Sequence, residues 1–174
     1  MFTGRRAKKA IRAGDFQTIV QMLQDSDPGV RADTANACME IDPGGAPPFL
    51  VAALLGAAAD PDLQVRGQAI LALGSVRAPE GPDIFLRALN EDDWLIQMFA
   101  ATAIGWMPDV RAVDGLTRLL EHEDSLVRGA AAFALGSVGT DECASALRAL
   151  QEKERYRDVR KSIEEALGKI EDRS

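Results

Sequence analysis

The chain has 174 residues, enough for one domain to bury a core without disulfides or metal. Hydrophobic residues make up 47% and charged residues 27%, and no apolar run approaches the ~20 residues that span a bilayer. A formal net charge of −7 argues against a broad nucleic-acid surface, because such surfaces neutralise phosphates with Lys and Arg.

The first segment, residues 1–14, is basic through Arg5, Arg6, Lys8, Lys9 and Arg12 and reads as an N-terminal segment or capping helix. No apolar stretch follows it, so it does not read as a secretory signal, and a cytoplasmic location is the expectation. A second basic cluster, Lys153, Arg155, Arg157, Arg160 and Lys161, lies near the other end. Both clusters read as solvated faces.

From Asp15 onward the chain repeats itself. Val30-Arg31, Val65-Arg66, Ile96-Gln97, Val127-Arg128 and Val159-Arg160 are copies of one motif, 31 to 35 residues apart, a period that marks a helical solenoid. The copies span about 15–42, 43–77, 78–108, 109–139 and 140–171. Asp27, Asp62, Asp93 and Asp124 lie three residues before the Val or Ile, where a carboxylate caps the free N–H groups of the helix that follows. Small residues and a Gly recur further on, as in Ala72-Leu73-Gly74 and Ala134-Leu135-Gly136, and let neighbouring helices approach. Between these B helices run shorter apolar segments, 16–23, 49–55, 84–89, 113–120 and 143–150, which predict A helices. The Pro/Gly stretch 42–48 is a turn. No run of alternating β-branched residues predicts a strand.

The pattern D-x-x-V-R followed by A-x-x-A-L-G resembles the HEAT-like repeat of the phycobilin-lyase type, over about Asp15 to Ile170. The resemblance implies an all-α solenoid, an α-α superhelix of about five helical hairpins. It also spans scaffolds, lyase subunits and metal hydroxylases. The di-iron hydroxylase of this family draws on several His-Glu pairs. This chain has one, His122-Glu123, and no other histidine. No metal site, no cofactor and no catalytic residue is therefore expected, and His122 reads as an exposed loop residue. Cys38 and Cys143 sit in the first and fifth copies, too far apart for a disulfide, and read as reduced core residues.

Arg31, Arg66, Arg128 and Arg160, with Asp27, Asp62 and Asp124, read as a structural ladder in which each Arg pairs with loop acids of its own or a neighbouring copy. Gln97 interrupts the row. With Asp93 in place as a partner, an Arg at 97 is expected to be accommodated.

On a helical wheel the motif position and the positions 4, 7, 8 and 11 residues later form a core stripe. A second stripe, at −1, +3, +6 and +10, is polar in the outer copies. Asp33, Asn36 and Glu40 make one polar end. In the middle it is apolar: Leu71, then Leu95, Phe99 and Trp106, then Leu126 and Phe133. In the proteins this chain resembles, that stripe and its flanks line the concave surface, which adds Trp94 and Met98. Aromatic residues are only 5% of the chain, yet both tryptophans fall in this one helix. The expectation is a non-catalytic scaffold that takes a peptide, loop or helix on its concave apolar face, with a second copy of the chain as another candidate occupant. The alternatives are a bilin-lyase-like subunit and, opposed by the acidic groove end, a nucleic-acid-binding HEAT-like protein. No membrane partner is expected.

Overall fold

Four aspartates set the starts of four helices. Asp27 accepts from the Gly29 N–H at 2.8 Å, Asp62 from Gln64 and Val65, Asp93 from Leu95 and Ile96, and Asp124 from Leu126 at 2.7 Å. Each satisfies N–H groups that an α-helix leaves without partners in its first turn. In the fifth copy Tyr156 holds the cap position and supplies no side-chain bond.

The computed structural model describes residues 2–173, with side chains from Gly4 onward. Among these residues there are eleven α-helices: α1 (Phe2–Arg12), α2 (Phe16–Leu23), α3 (Pro28–Ala37), α4 (Pro48–Ala57), α5 (Leu63–Ser75), α6 (Gly81–Ala88), α7 (Trp94–Trp106), α8 (Val113–Leu119), α9 (Ser125–Val138), α10 (Asp141–Gln151) and α11 (Arg157–Glu171). Two short 3₁₀ turns, Cys38–Glu40 and Val110–Ala112, complete them, and no strand occurs among the described residues. The predicted A segments correspond to α2, α4, α6, α8 and α10, and the B helices to α3, α5, α7, α9 and α11. None of these helices is long and apolar enough to cross a membrane.

The core stripe is where the wheel puts it. Val65, Ile96, Val127 and Val159 are buried, as are Leu73, Ile104, Leu135 and Leu167 eight residues further on. Thr34, the polar exception, is buried too and donates its hydroxyl to the Val30 carbonyl at 2.6 Å. Thr can take that place because its hydroxyl is satisfied within its own helix turn.

The chain forms two compact units, one up to Ile84 and one from Phe85. In the first, α3 packs against α1, α2 and α5, and α4 lies on α2 and α5. In the second, α9 is the central helix, flanked by α7 and α11 and backed by α8 and α10. Close approach there depends on missing side chains. A Cβ on Gly136 would stand 2.6 Å from the Ala166 Cα, and one on Gly105 would fall 2.0 Å from the Phe133 ring. The second approach explains where Phe133 goes: its ring fills the notch left by Gly105 of the neighbouring helix.

Candidate binding surface

The predicted stripe divides between the two units. Trp94, Leu95, Met98, Phe99, Trp106, Leu126 and Phe133 all belong to the unit from Phe85 onward, on α7 and α9. Trp94, in the first turn of α7, is 43% exposed, and Leu126, in the first turn of α9, is 61% exposed. Leu95, Met98, Phe99, Trp106 and Phe133 are half-buried. Phe133 is enclosed by its neighbours, with Gly105 behind it and the Lys169 ammonium 4.8 Å above its ring. A cation over an aromatic face is favourable, so Phe133 is held on both sides.

Leu71 is a correction. It is only 8% exposed and belongs to the core of its own unit, so it does not lie on an open surface. The polar end also changes character. Glu40 remains exposed, but Lys8 of α1 donates to it at 2.5 Å and Arg12 approaches to 3.8 Å. The lysine's hydrogen bond is the main reason its carboxyl stays below the ordinary range. Asn36 donates to Gln68 on the next B helix at 2.9 Å, while Asp33 stays exposed in a polar recess of about 310 Å³.

Two arginines of the row, Arg31 and Arg128, hold carboxylates beyond their own loops. Arg31 grips Asp60 with two bonds, Nε to Oδ2 at 2.7 Å and Nη2 to Oδ1 at 2.8 Å, while Nη1 donates to the Asp25 and Ser26 carbonyls. Arg128 does the same, holding Glu154 at 2.6 and 3.0 Å and the His122 and Glu123 carbonyls at 2.8 and 2.9 Å. Arg66 donates to the Asp60 carbonyl at 3.0 Å. The acid gripped lies two residues ahead of the next cap residue, not at the cap itself. The caps Asp27, Asp62 and Asp124 are occupied with helix N–H groups. Arg160 departs from the expectation: it is exposed and makes no side-chain hydrogen bond or ion pair among the described residues. The acids that Arg31 and Arg128 grip sit in the loop of the following hairpin.

Glu154 is the deepest carboxylate. Arg128's hydrogen bonds hold its carboxyl down to about 2, helped by the Tyr156 and Arg155 backbone N–H groups and opposed by burial. Asp60 is likewise lowered, first by Arg31. Tyr156 closes over the Arg128 guanidinium, ring centre to Cζ 5.4 Å. These are geometries of a bolt between hairpins.

His122 lies in the loop as read, though half-buried rather than exposed. Its Nδ1 accepts from the Asp124 N–H at 3.0 Å. Among the described residues no three His, Cys, Asp or Glu side chains converge on one point. Burial pushes the Cys38 thiol up to about 12, away from the thiolate that reactivity needs.

Hairpins with capped B helices, stacked side by side and bolted by Arg–carboxylate pairs, define an α-solenoid of the armadillo and HEAT kind. A family model for HEAT repeats matches residues 48–131 and 82–168, and the chain belongs to the HEAT repeat family. A HEAT repeat-containing taxis protein of Halobacterium salinarum is 30% identical over 165 residues, 92% of this chain and 36% of that protein. A deoxyhypusine hydroxylase of Cryptococcus neoformans is 35% identical over 126 residues, 70% of this chain and 35% of that one. The chain thus spans about a third of the length of these relatives. Among solved structures, the complex of CpcE and CpcF of phycocyanin lyase from Nostoc has a TM-score of 0.73 at 18% identity, over 87% of this chain and 63% of that chain. A designed armadillo repeat protein in complex with the peptide (KR)4 has a TM-score of 0.67 at 15% identity, over 96% and 86%.

Proposed function

We propose that this chain is a non-catalytic interaction scaffold and that the stripe on α7 and α9 is where it takes a peptide, loop or helix of another protein. The observation that carries the reading is the exposure of Trp94 and Leu126 at the starts of two neighbouring B helices, beside half-buried Leu95, Met98 and Phe99. Large apolar side chains left open together mark contact sites, and Trp and Met are enriched at the centres of interfaces. The (KR)4 peptide on a designed armadillo neighbour supports a protein ligand for this class of surface. A net charge of −7, with Asp158 exposed on α11, favours a partner that carries a basic residue beside its apolar anchor.

The non-catalytic half of the reading rests on the donor set. A metal-dependent hydroxylation of the kind named for the fungal relative does not fit these side chains. The single imidazole spends Nδ1 on a backbone N–H, and no further donors gather around it among the described residues.

The test uses the protein's only two tryptophans, Trp94 and Trp106, both in the stripe. A peptide selected from a displayed library should shift their emission on titration. The double variant Trp94→Ala/Leu126→Ala should lose that peptide while melting within a few degrees of the parent, since neither side chain is among the buried core residues. Selection of the same peptides by the variant would end the proposal.

A further inference from the structure

Two stretches of this chain run identically for five residues and then part. Ala72-Leu73-Gly74-Ser75-Val76 is followed by Arg77, and Ala134-Leu135-Gly136-Ser137-Val138 by Gly139. Both sixth residues close a B helix in the left-handed region, Gly139 at φ 81° and Arg77 at φ 55°. After α5 the closure is a full Schellman turn, with the Ala78 N–H on the Leu73 carbonyl at 2.9 Å and the Arg77 N–H on the Gly74 carbonyl at 3.2 Å. Glycine is the residue that takes this place without steric cost. Arg77 is the single non-glycine residue at positive φ among the described residues. A side chain kept where the chain's own second copy uses none points from strain to use.

Arg77 lines a pocket of about 380 Å³, within the range of small-molecule sites. Its walls are apolar: Val51 and Leu55 from α4, Val76 and Ala78 from the turn. Two exposed charges share the lining, Arg77 and Glu80, and neither makes a side-chain hydrogen bond or ion pair among the described residues. The pocket therefore presents a guanidinium and a carboxylate that the fold leaves unused, over an apolar floor that belongs to the core.

We propose that this pocket binds a small zwitterion with an apolar body, an α-amino acid such as leucine or phenylalanine. Arg77 takes the α-carboxylate, Glu80 the α-ammonium, and the α4 wall the side chain. A plain carboxylic acid would meet Glu80 as a like charge, and a plain amine would meet Arg77. Only a ligand carrying both charges satisfies the pair. The site is separate from the stripe on α7 and α9 and does not depend on it.

Calorimetric titration of the full chain with L-leucine and L-phenylalanine should show saturable binding, with leucinamide and isocaproate at least about tenfold weaker because each lacks one charge. Arg77→Gly should weaken leucine binding at least about tenfold and raise the melting temperature by about 2–4 °C, since it removes the strain and keeps the turn. Glu80→Gln should abolish the preference for leucine over isocaproate. No binding of either amino acid at about 10 mM, equal binding of the single-charge analogues, or an Arg77→Gly variant that binds like the parent would each overturn the proposal.

Discussion

Gln97 donates from Nε2 to the Glu91 carbonyl at 2.7 Å, the same bond across six residues that Arg31 makes to Asp25 at 2.8 Å and Arg128 to His122 at 2.8 Å. The glutamine therefore keeps the half of the arginine's work that ties the loop and gives up the half that grips the next hairpin. The position it would grip, two residues before the next cap, holds Asp60 and Glu154 in two other copies and His122 here. Both members of this rung have changed together. His122 still receives the cap residue's N–H, as Asp60 does from Asp62 at 2.9 Å.

This revises what an Arg at 97 should do. Asp93 is engaged with Leu95 and Ile96, so Gln97→Arg brings a guanidinium toward an imidazole rather than an acid. The single variant should be neutral or mildly destabilising. Gln97→Arg with His122→Glu should restore a rung and show a favourable coupling of about 1 kcal/mol or more in a double-mutant cycle of urea unfolding. Strict additivity would mean that the rung is not transferable.

Acid should find Glu154 late. Its carboxyl titrates near 4.5 when free and near 2 in the folded chain. As pH falls between those values the unfolded state binds the proton first, so stability declines across that window and is lost below about 2. By this linkage the ionised carboxylate, with its arginine and backbone partners, is worth on the order of 3 kcal/mol above pH 5. Glu154→Gln should be less stable at neutral pH and should lose less stability than the parent across the same window in acid melts, the remaining slope coming from Asp60 and the other lowered carboxyls.

Removing Arg128 should be costlier than removing an exposed cation. Arg128→Ala leaves Glu154 buried with its ion-pair partner gone and should lower stability by about 3 kcal/mol at pH 7. Lys153→Ala, whose partner Glu121 is exposed, should change it by less than about 0.5 kcal/mol. Equal losses in thermal or urea unfolding would contradict the burial of the first pair.

The notch under Phe133 has an internal contrast. Gly105→Ala forces a methyl into the ring and should cost about 1–3 kcal/mol, recovered in part by Phe133→Leu. Gly129→Ala meets nothing closer than the Ser162 hydroxyl at 3.9 Å and should stabilise α9 by about 0.5–1 kcal/mol. Melting both variants side by side decides whether Phe133 is held by its neighbours or free to turn toward a ligand.

The hairpins were legible because their cues are local. A cap aspartate, a Val three residues on and a small-residue run recur within one copy, so the helices and the core stripe follow from spacing alone. The surface was harder. Exposure of Leu126 and burial of Leu71 depend on what the neighbouring helix presents, and the wheel puts both on one stripe. Glu40's lysine lies 32 residues away on α1, and Asp60 lies 29 residues from Arg31, distances that spacing does not encode. Arg77 is marked in the sequence only by the parting of two otherwise identical stretches at one residue.

The lengths of these bonds in sequence also have a kinetic consequence. Cap bonds close over two or three residues and the Arg–carbonyl bonds over five or six, whereas the carboxylate grips span 26 and 29. Loop closure of the short kind costs little, and repeat chains nucleate within one hairpin and grow outward. Loss of a cap, as in Asp62→Ala, should therefore slow folding, while loss of a grip, as in Arg31→Ala, should chiefly hasten unfolding. The caps govern how fast the molecule assembles, and the arginines govern how long it lasts.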